Sequence, residues 1–241
     1  MTSSLLYRWP PPAHFGRVVP KTKFYEHGTI TKAIRDKFVA EVQRITWAYK
    51  LANATIHLRE SEAVPEIQVF VIDAKAEDVS DAVLAAIDKA VRMPVIFEIN
   101  RRRGSDETAR MTATHKQATE TLKSTASYFS TDWISADAER SALPTAINLQ
   151  ALYASLISPL LPIDPRPGER LAATVIRVAD ARKLEREILS IERRLRNEPQ
   201  FNRKVELRRQ LRERTAARDS LTSPTRSDTD DAVGKEAIWT S

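Results

Sequence analysis

"EIQVFVID", residues 66–73, is the stretch on which the fold turns. It is nearly continuous in apolar and β-branched residues, and such a run suits a strand buried on both faces better than an edge strand. "PVIFEIN", residues 94–100, has the same character. Between the two, Asp78 or Ser80 can cap a helix whose inward face carries Leu84, Ile87 and Val91. The centre of the chain therefore reads as strand, helix, strand.

Working toward the N-terminus, Ile34, Phe38, Val42, Ile45 and Tyr49 step by four, four, three and four. That spacing predicts one helix over residues 31–51, with Thr31 as its N-cap and Trp47 facing away from the apolar stripe. "TIHL", residues 55–58, reads as a short strand. Residues 1–28 contain "WPPP" and a further proline and glycine, and read as an irregular lead-in.

Toward the C-terminus, "RRRGSDE" reads as a turn. It leads to "TARMTATHKQ" (108–117) and "STASYFSTDWIS" (124–135), which read as antiparallel strands. A closing amphipathic helix over 143–161 carries Leu149, Leu152, Tyr153, Leu156, Ile157 and Leu160. The expectation is an α+β fold, a mixed α/β core over 29–162 with a central sheet of about five strands.

The proline-rich linker 163–168 then introduces a second pattern. Leu184, Ile188, Ile191 and Leu195 recur at heptad spacing; beyond the Glu198-Pro199 break, Phe201, Val205, Leu207 and Leu211 form a second seam. Residues 169–220 thus read as an antiparallel helical hairpin, a coiled coil with arms of about 40 and 30 Å at 1.5 Å per residue. Residues 221–241 are polar and read as a disordered tail.

Charge separates the same two parts. The chain carries a formal +6; residues 180–219 hold 13 Lys/Arg against 8 Asp/Glu, leaving a nearly neutral remainder. Composition also excludes several chemistries. Only five glycines are present, with no GxGxxG or GxxxxGK[ST] motif, so nucleotide loops of those types are absent. There is no cysteine, and His14, His27, His57 and His115 form no HxxxH or HxH pair, so no metal site and no cofactor are expected. "MTSSLLYRWPPP" lacks a signal-peptide apolar run, and "AINLQALYASLISPLLPI" is too polar to span a bilayer. The expectation is a cytoplasmic protein with no membrane partner.

Three residue sets carry candidate chemistry. "VIDAK" places Asp73 two before Lys75 at a strand end, the acid-x-Lys arrangement of a Mg-dependent nuclease, with Glu66 or Glu98 as further ligands. The ordinary reading of that pair is a strand-end turn. Lys21, Lys23, Tyr25, Trp47, Tyr49 and Lys50 could stack on bases and meet phosphates; the competing reading packs the aromatics inside. In the hairpin, Arg193, Arg194, Arg196, Arg203, Lys204, Arg208, Arg209 and Arg212 could neutralise DNA phosphates, unless interleaved glutamates quench them. Trp47, Phe201, Val205, Leu207 and Leu211 are the candidates for protein docking.

"PKTKFYEH" (20–27), "ITWAYKL" (45–51), "EIQVF" (66–70), "AIDKAV" with "PVIFEI" (86–99) and above all "QFNRKVEL" (200–207) together resemble the bacterial family of domain of unknown function 4391. The resemblance is collinear over residues 21–211. It implies a setting beside SNF2-like helicases and DNA methyltransferases in restriction-type anti-phage clusters, with no assigned activity. The arginine-rich second arm departs from the family pattern. The leading expectation is a non-enzymatic accessory subunit that docks a helicase or methyltransferase partner, and DNA, through the basic hairpin. A Mg-dependent nuclease and a self-associating scaffold, a homo-oligomer, are the alternatives.

Overall fold

The computed structural model describes residues 5–26, 30–75, 77–116 and 127–223. His27, the residues around Gln117 and most of the expected tail lie outside them. The chain divides into two compact units, Met1–Pro162 and Ile163–Ser241. In order, the first holds β1 (His14–Val18), α1 (Lys21–Glu26), α2 (Lys32–Glu41), β2 (Val42–Ala52), α3 (Asn53–Ile56), β3 (Glu66–Ala74), α4 (Asp81–Ala90) and β4 (Val95–Arg103). It continues with β5 (Asp106–Ala113), β6 (Phe129–Ser130), β7 (Ile134–Ser135) and α5 (Leu149–Ile157). The second unit is α6 (Leu171–Asn197) and α7 (Phe201–Thr222). The fold is α+β, and among the described residues no helix is long and apolar enough to cross a membrane.

The described strands form one sheet in the order β1-β2-β3-β4-β5-β6, with β7 also on β5. Only β3 and β4 pair in parallel, from Gln68↔Val95 to Asp73↔Asn100. A parallel pair needs a crossover, and α4 supplies it. One face of the sheet buries Phe70, Ile72, Phe97 and Ile99 against Phe24 of α1, Phe38 of α2 and Val83, Leu84 and Ile87 of α4. Alternation sends Val69 and Ile96 to the other face, where α5 buries Leu149, Leu152, Tyr153, Leu156 and Ile157.

The single helix expected over 31–51 is corrected by the structure. Thr31 does cap α2, its side chain accepting from the Ile34 N–H, but the helix ends at Glu41 and β2 follows at once. The register of β2 against β3 slips by one residue between Val42 and Arg44 and again between Trp47 and Tyr49. Each slip is a β-bulge that turns the following side chains to the opposite face. Two bulges in eleven residues convert a period of two into buried Val42, Ile45, Ala48 and Leu51, a spacing that imitates a helix.

Smaller departures have local causes. "TIHL" is not a strand: Asn53–Ile56 makes one helical turn, ended by His57 at φ 56°. The lead-in is not irregular throughout, since β1 adds an edge strand to β2 and α1 joins the core. Gly16 sits at φ 67° in β1, where a Cβ would meet the His14 ring at 2.6 Å. The arginines of "RRRGSDE" extend β4 to Arg103, leaving Gly104 and Ser105 as a two-residue hairpin loop. The last helix of this unit starts at Leu149, because the Asn148 side chain accepts from the Ala151 N–H at 2.7 Å.

Two buried polar clusters lock the sheet. On the α4 side, the Lys116 ammonium donates to the Asp88 carboxylate at 2.8 Å and to the backbone carbonyls of Asp88 and Val91, closing the C-terminal end of α4. Tyr128 donates to the other Asp88 oxygen at 2.9 Å. Burial raises the Asp88 carboxyl above its usual range, with Lys116 opposing, and raises Tyr128 also. On the α5 side, Glu98 accepts from both ends of the Arg140 guanidinium and from the Trp9 indole at 3.3 Å.

In the second unit α6 and α7 pack as an antiparallel hairpin, burying Val178, Ala181, Ile188, Ile191 and Leu207. Its open end is tied by Arg177, which holds the Glu169 carboxylate at 2.7 Å and donates to the carbonyls of Asp164 and Leu221. The same guanidinium pulls the Glu169 carboxyl down to about 2.

Lys116→Met leaves Asp88 buried without its cation, and is expected to cost about 3–5 kcal/mol in urea unfolding. Adding Asp88→Leu should recover most of that loss. For the clasp, a depressed carboxyl stabilises above its unfolded value of 4.5 and ceases to do so as pH falls toward 2. Glu169→Gln should therefore destabilise the hairpin by about 1 kcal/mol at pH 7, allowing for solvent at its edge. At pH 2 the variant and the parent should unfold alike.

Candidate functional site

Charge is compensated over most of the described surface and uncompensated at the hairpin's closed end. Residues 193–212 hold eight Lys/Arg against two Glu. Arg209 is quenched by Glu206 and Glu213, each at 2.7 Å, one turn away on either side. It holds the Glu206 carboxyl down to about 2. Arg214, further along, meets Glu187. Arg193, Arg194, Arg196, Arg203, Lys204, Arg208 and Arg212 make no ion pair among the described residues, and all but Lys204 are exposed.

Helix geometry sorts the apolar residues here and corrects the expected second seam. At 100° per residue Phe201 and Leu207 point about 120° apart, so one stripe cannot hold both. Leu207 is 5% exposed and turned into the hairpin, with Leu211 half-buried one turn on. Leu207 is thus already used and is not available to a partner. Phe201 is 73% and Val205 48% exposed. They share a face about 60° wide with Arg208 and Arg212, so α7 presents two apolar and two cationic side chains together.

The lysine and aromatic set of the first unit does not form one patch. The bulge at Ala48 places Trp47 and Tyr49 on opposite faces of the sheet. Trp47 packs between Phe15 and Phe70, with ring centroids 4.1 and 6.0 Å away; Tyr49 packs on Trp9 and His14. Tyr25 meets Phe38. Lys21 donates to the Val42 carbonyl, Lys23 pairs with Glu26 at 3.0 Å, and Lys50 with Glu66 at 2.6 Å.

Nor are the nuclease candidates gathered. Asp73, at the end of β3, accepts from Arg44 at 2.8 Å and Asn100 at 3.2 Å, while Lys75 turns to the Val39 carbonyl. Glu66 lies at the opposite end of β3, and Glu98 is enclosed by Arg140 and Trp9. Among the described residues no three His, Asp or Glu side chains stand close enough to hold a metal ion. A polar cleft of about 820 Å³ does open beside Asp73, lined by Arg44, Asn100, Arg102, Glu107 and Arg140. Its arginines are matched: Arg44 by Asp73, Arg102 by Glu107, Arg140 by Glu98. Arg140 and Lys116 are the structural residues that sequence reasoning missed, because their carboxylate partners lie 42 and 28 positions away.

A family model described as a domain of unknown function (DUF4391) matches residues 8–217, spanning the sheet and nearly all of the hairpin. No curated protein and no solved structure matches the chain.

Truncation separates the two sides of α7. Leu207→Ala is expected to cost about 2–4 kcal/mol by leaving a cavity in the seam. Phe201→Ala should change the unfolding midpoint little, since its ring packs against solvent.

Proposed function

This chain belongs to the DUF4391 family, a domain of unknown function, and on that premise we propose that it is a non-catalytic accessory subunit whose helical hairpin contacts nucleic acid. One observation carries the reading: seven cations at the closed end of the hairpin lack carboxylate partners, whereas the cleft arginines of the first unit have them. Unpaired guanidinium and ammonium groups on two adjacent helices bind a polyanion through its phosphates and need no base readout. Phe201 and Val205, on the same face as Arg208 and Arg212, serve protein docking. The setting implied by the resemblance makes a helicase or DNA methyltransferase the partner, in the cytoplasm, within a restriction-type defence assembly. Two features speak against a metal-dependent nuclease: Asp73, Glu66 and Glu98 are apart, and each is bound to its own cationic partner.

The affinity of the full chain for duplex DNA, measured across salt concentrations, tests the reading. About six neutralised phosphates predict a log-log slope near −5. Replacing Arg203, Lys204 and Arg208 together by Gln should lower the slope by about 2–3, in proportion to the contacts removed. Asp73→Ala should leave it unchanged. A flat salt response would sink the proposal.

A further inference from the structure

Beneath α1, on the α4 side of the sheet, lies a mostly apolar pocket of about 320 Å³, walled by Phe24, Phe70, Val91 and Met93. Two polar side chains also line it, and each presents a buried atom with no hydrogen-bond partner: the Trp47 Nε1 and the Gln68 Oε1. Buried polar atoms are nearly always partnered, so a donor and an acceptor both unmet in one pocket call for a reason.

The orientation of Gln68 is built. It is 2% exposed, and its amide nitrogen donates to the Glu66 carboxylate, whose other oxygen takes the Lys50 ammonium at 2.6 Å. The amide cannot turn over without facing an oxygen toward that carboxylate, so Oε1 is left directed away from Glu66. Trp47 is held just as firmly between Phe15 and Phe70. At the rim stand two cations: Lys23, in an exposed pair with Glu26, and Arg92, which makes no ion pair.

We infer that this pocket binds a nucleobase with its 5′ phosphate. A base is flat and apolar on its faces and carries an acceptor beside a donor on its edge, the complement of Trp47 N–H and Gln68 C=O. The volume lies at the lower end of the range for small-molecule sites, enough for one ring system and its sugar. Lys23 and Arg92 meet the phosphate at the mouth. A water can satisfy single orphan atoms, but the pocket is several times the space one water occupies, and its walls are apolar. The site uses no hairpin residue and stands independently of the hairpin reading.

Calorimetric titration of the full chain with AMP, GMP, CMP and UMP, the matching nucleosides and a mixed single-stranded tetranucleotide tests the inference. At least one mononucleotide should bind, more tightly than its nucleoside, and should shift the Trp47 indole N–H resonance. Gln68→Leu removes the acceptor and Trp47→Phe the donor while keeping the apolar bulk. Each should weaken binding at least tenfold, and replacing Arg203, Lys204 and Arg208 should not. A tetranucleotide that binds more tightly than the mononucleotide, and is equally weakened by Gln68→Leu, identifies a base presented on a strand; equal affinity identifies the free nucleotide. No mononucleotide binding at millimolar concentration, or binding that survives both pocket substitutions, overturns the site. Tetranucleotide binding indifferent to both substitutions, without mononucleotide binding, does the same and leaves the hairpin reading intact.

Discussion

β3 and β4 run parallel and are buried on both faces, so neither side of the sheet can be left to solvent. The first unit follows from that constraint. The parallel pair requires a crossover, and α4 provides it while covering one face with Val83, Leu84 and Ile87. The opposite face needs its own cover, which comes from α5. Antiparallel β2 and β5 then flank the pair, and the short or bulged strands β1, β6 and β7 lie outside them. Both buried polar clusters reach this centre: Lys116 and Tyr128 close on Asp88 of α4, and Arg140 closes on Glu98 of β4.

Electrostatic pairing distinguishes the two units. In the first, the acids weighed as metal ligands, Asp73, Glu66 and Glu98, each have a cation within 2.7 Å. A carboxylate so engaged contributes to the structure and offers little to a reaction. Along the hairpin tip the balance reverses, because only Arg209 has glutamates at the helical spacing that allows pairing. A surface that keeps its cations free there retains their field for an external anion. The pocket beneath α1 follows another logic, with unmet hydrogen bonding in place of unmet charge.

Legibility in the sequence tracked how local each cause was. β3, α4 and β4 were readable because a doubly buried strand and a capped amphipathic helix each show their burial in their own residues. β2 was not, since the bulges at Gln43 and Ala48 are set by its register against β3 and disguise a strand as a helix. The aromatic patch dissolved for the same reason, with Trp47 and Tyr49 sent to opposite faces. Gln68 did leave a trace: it is the one amide inside an otherwise apolar strand run.

By itself the sequence determined the α+β composition, the central strand-helix-strand, the two helices of the second unit and the concentration of positive charge on them. Those properties are carried by apolar spacing and by formal charge, which are local. Tertiary structure decided which of the charges remain free and which side of α7 is spent on the hairpin. It also decided which carboxylates are already held, and where a tryptophan and a glutamine meet over an apolar pocket. Each of these depends on a partner distant in the chain, and pairing in space is what spacing along a strand or helix cannot express.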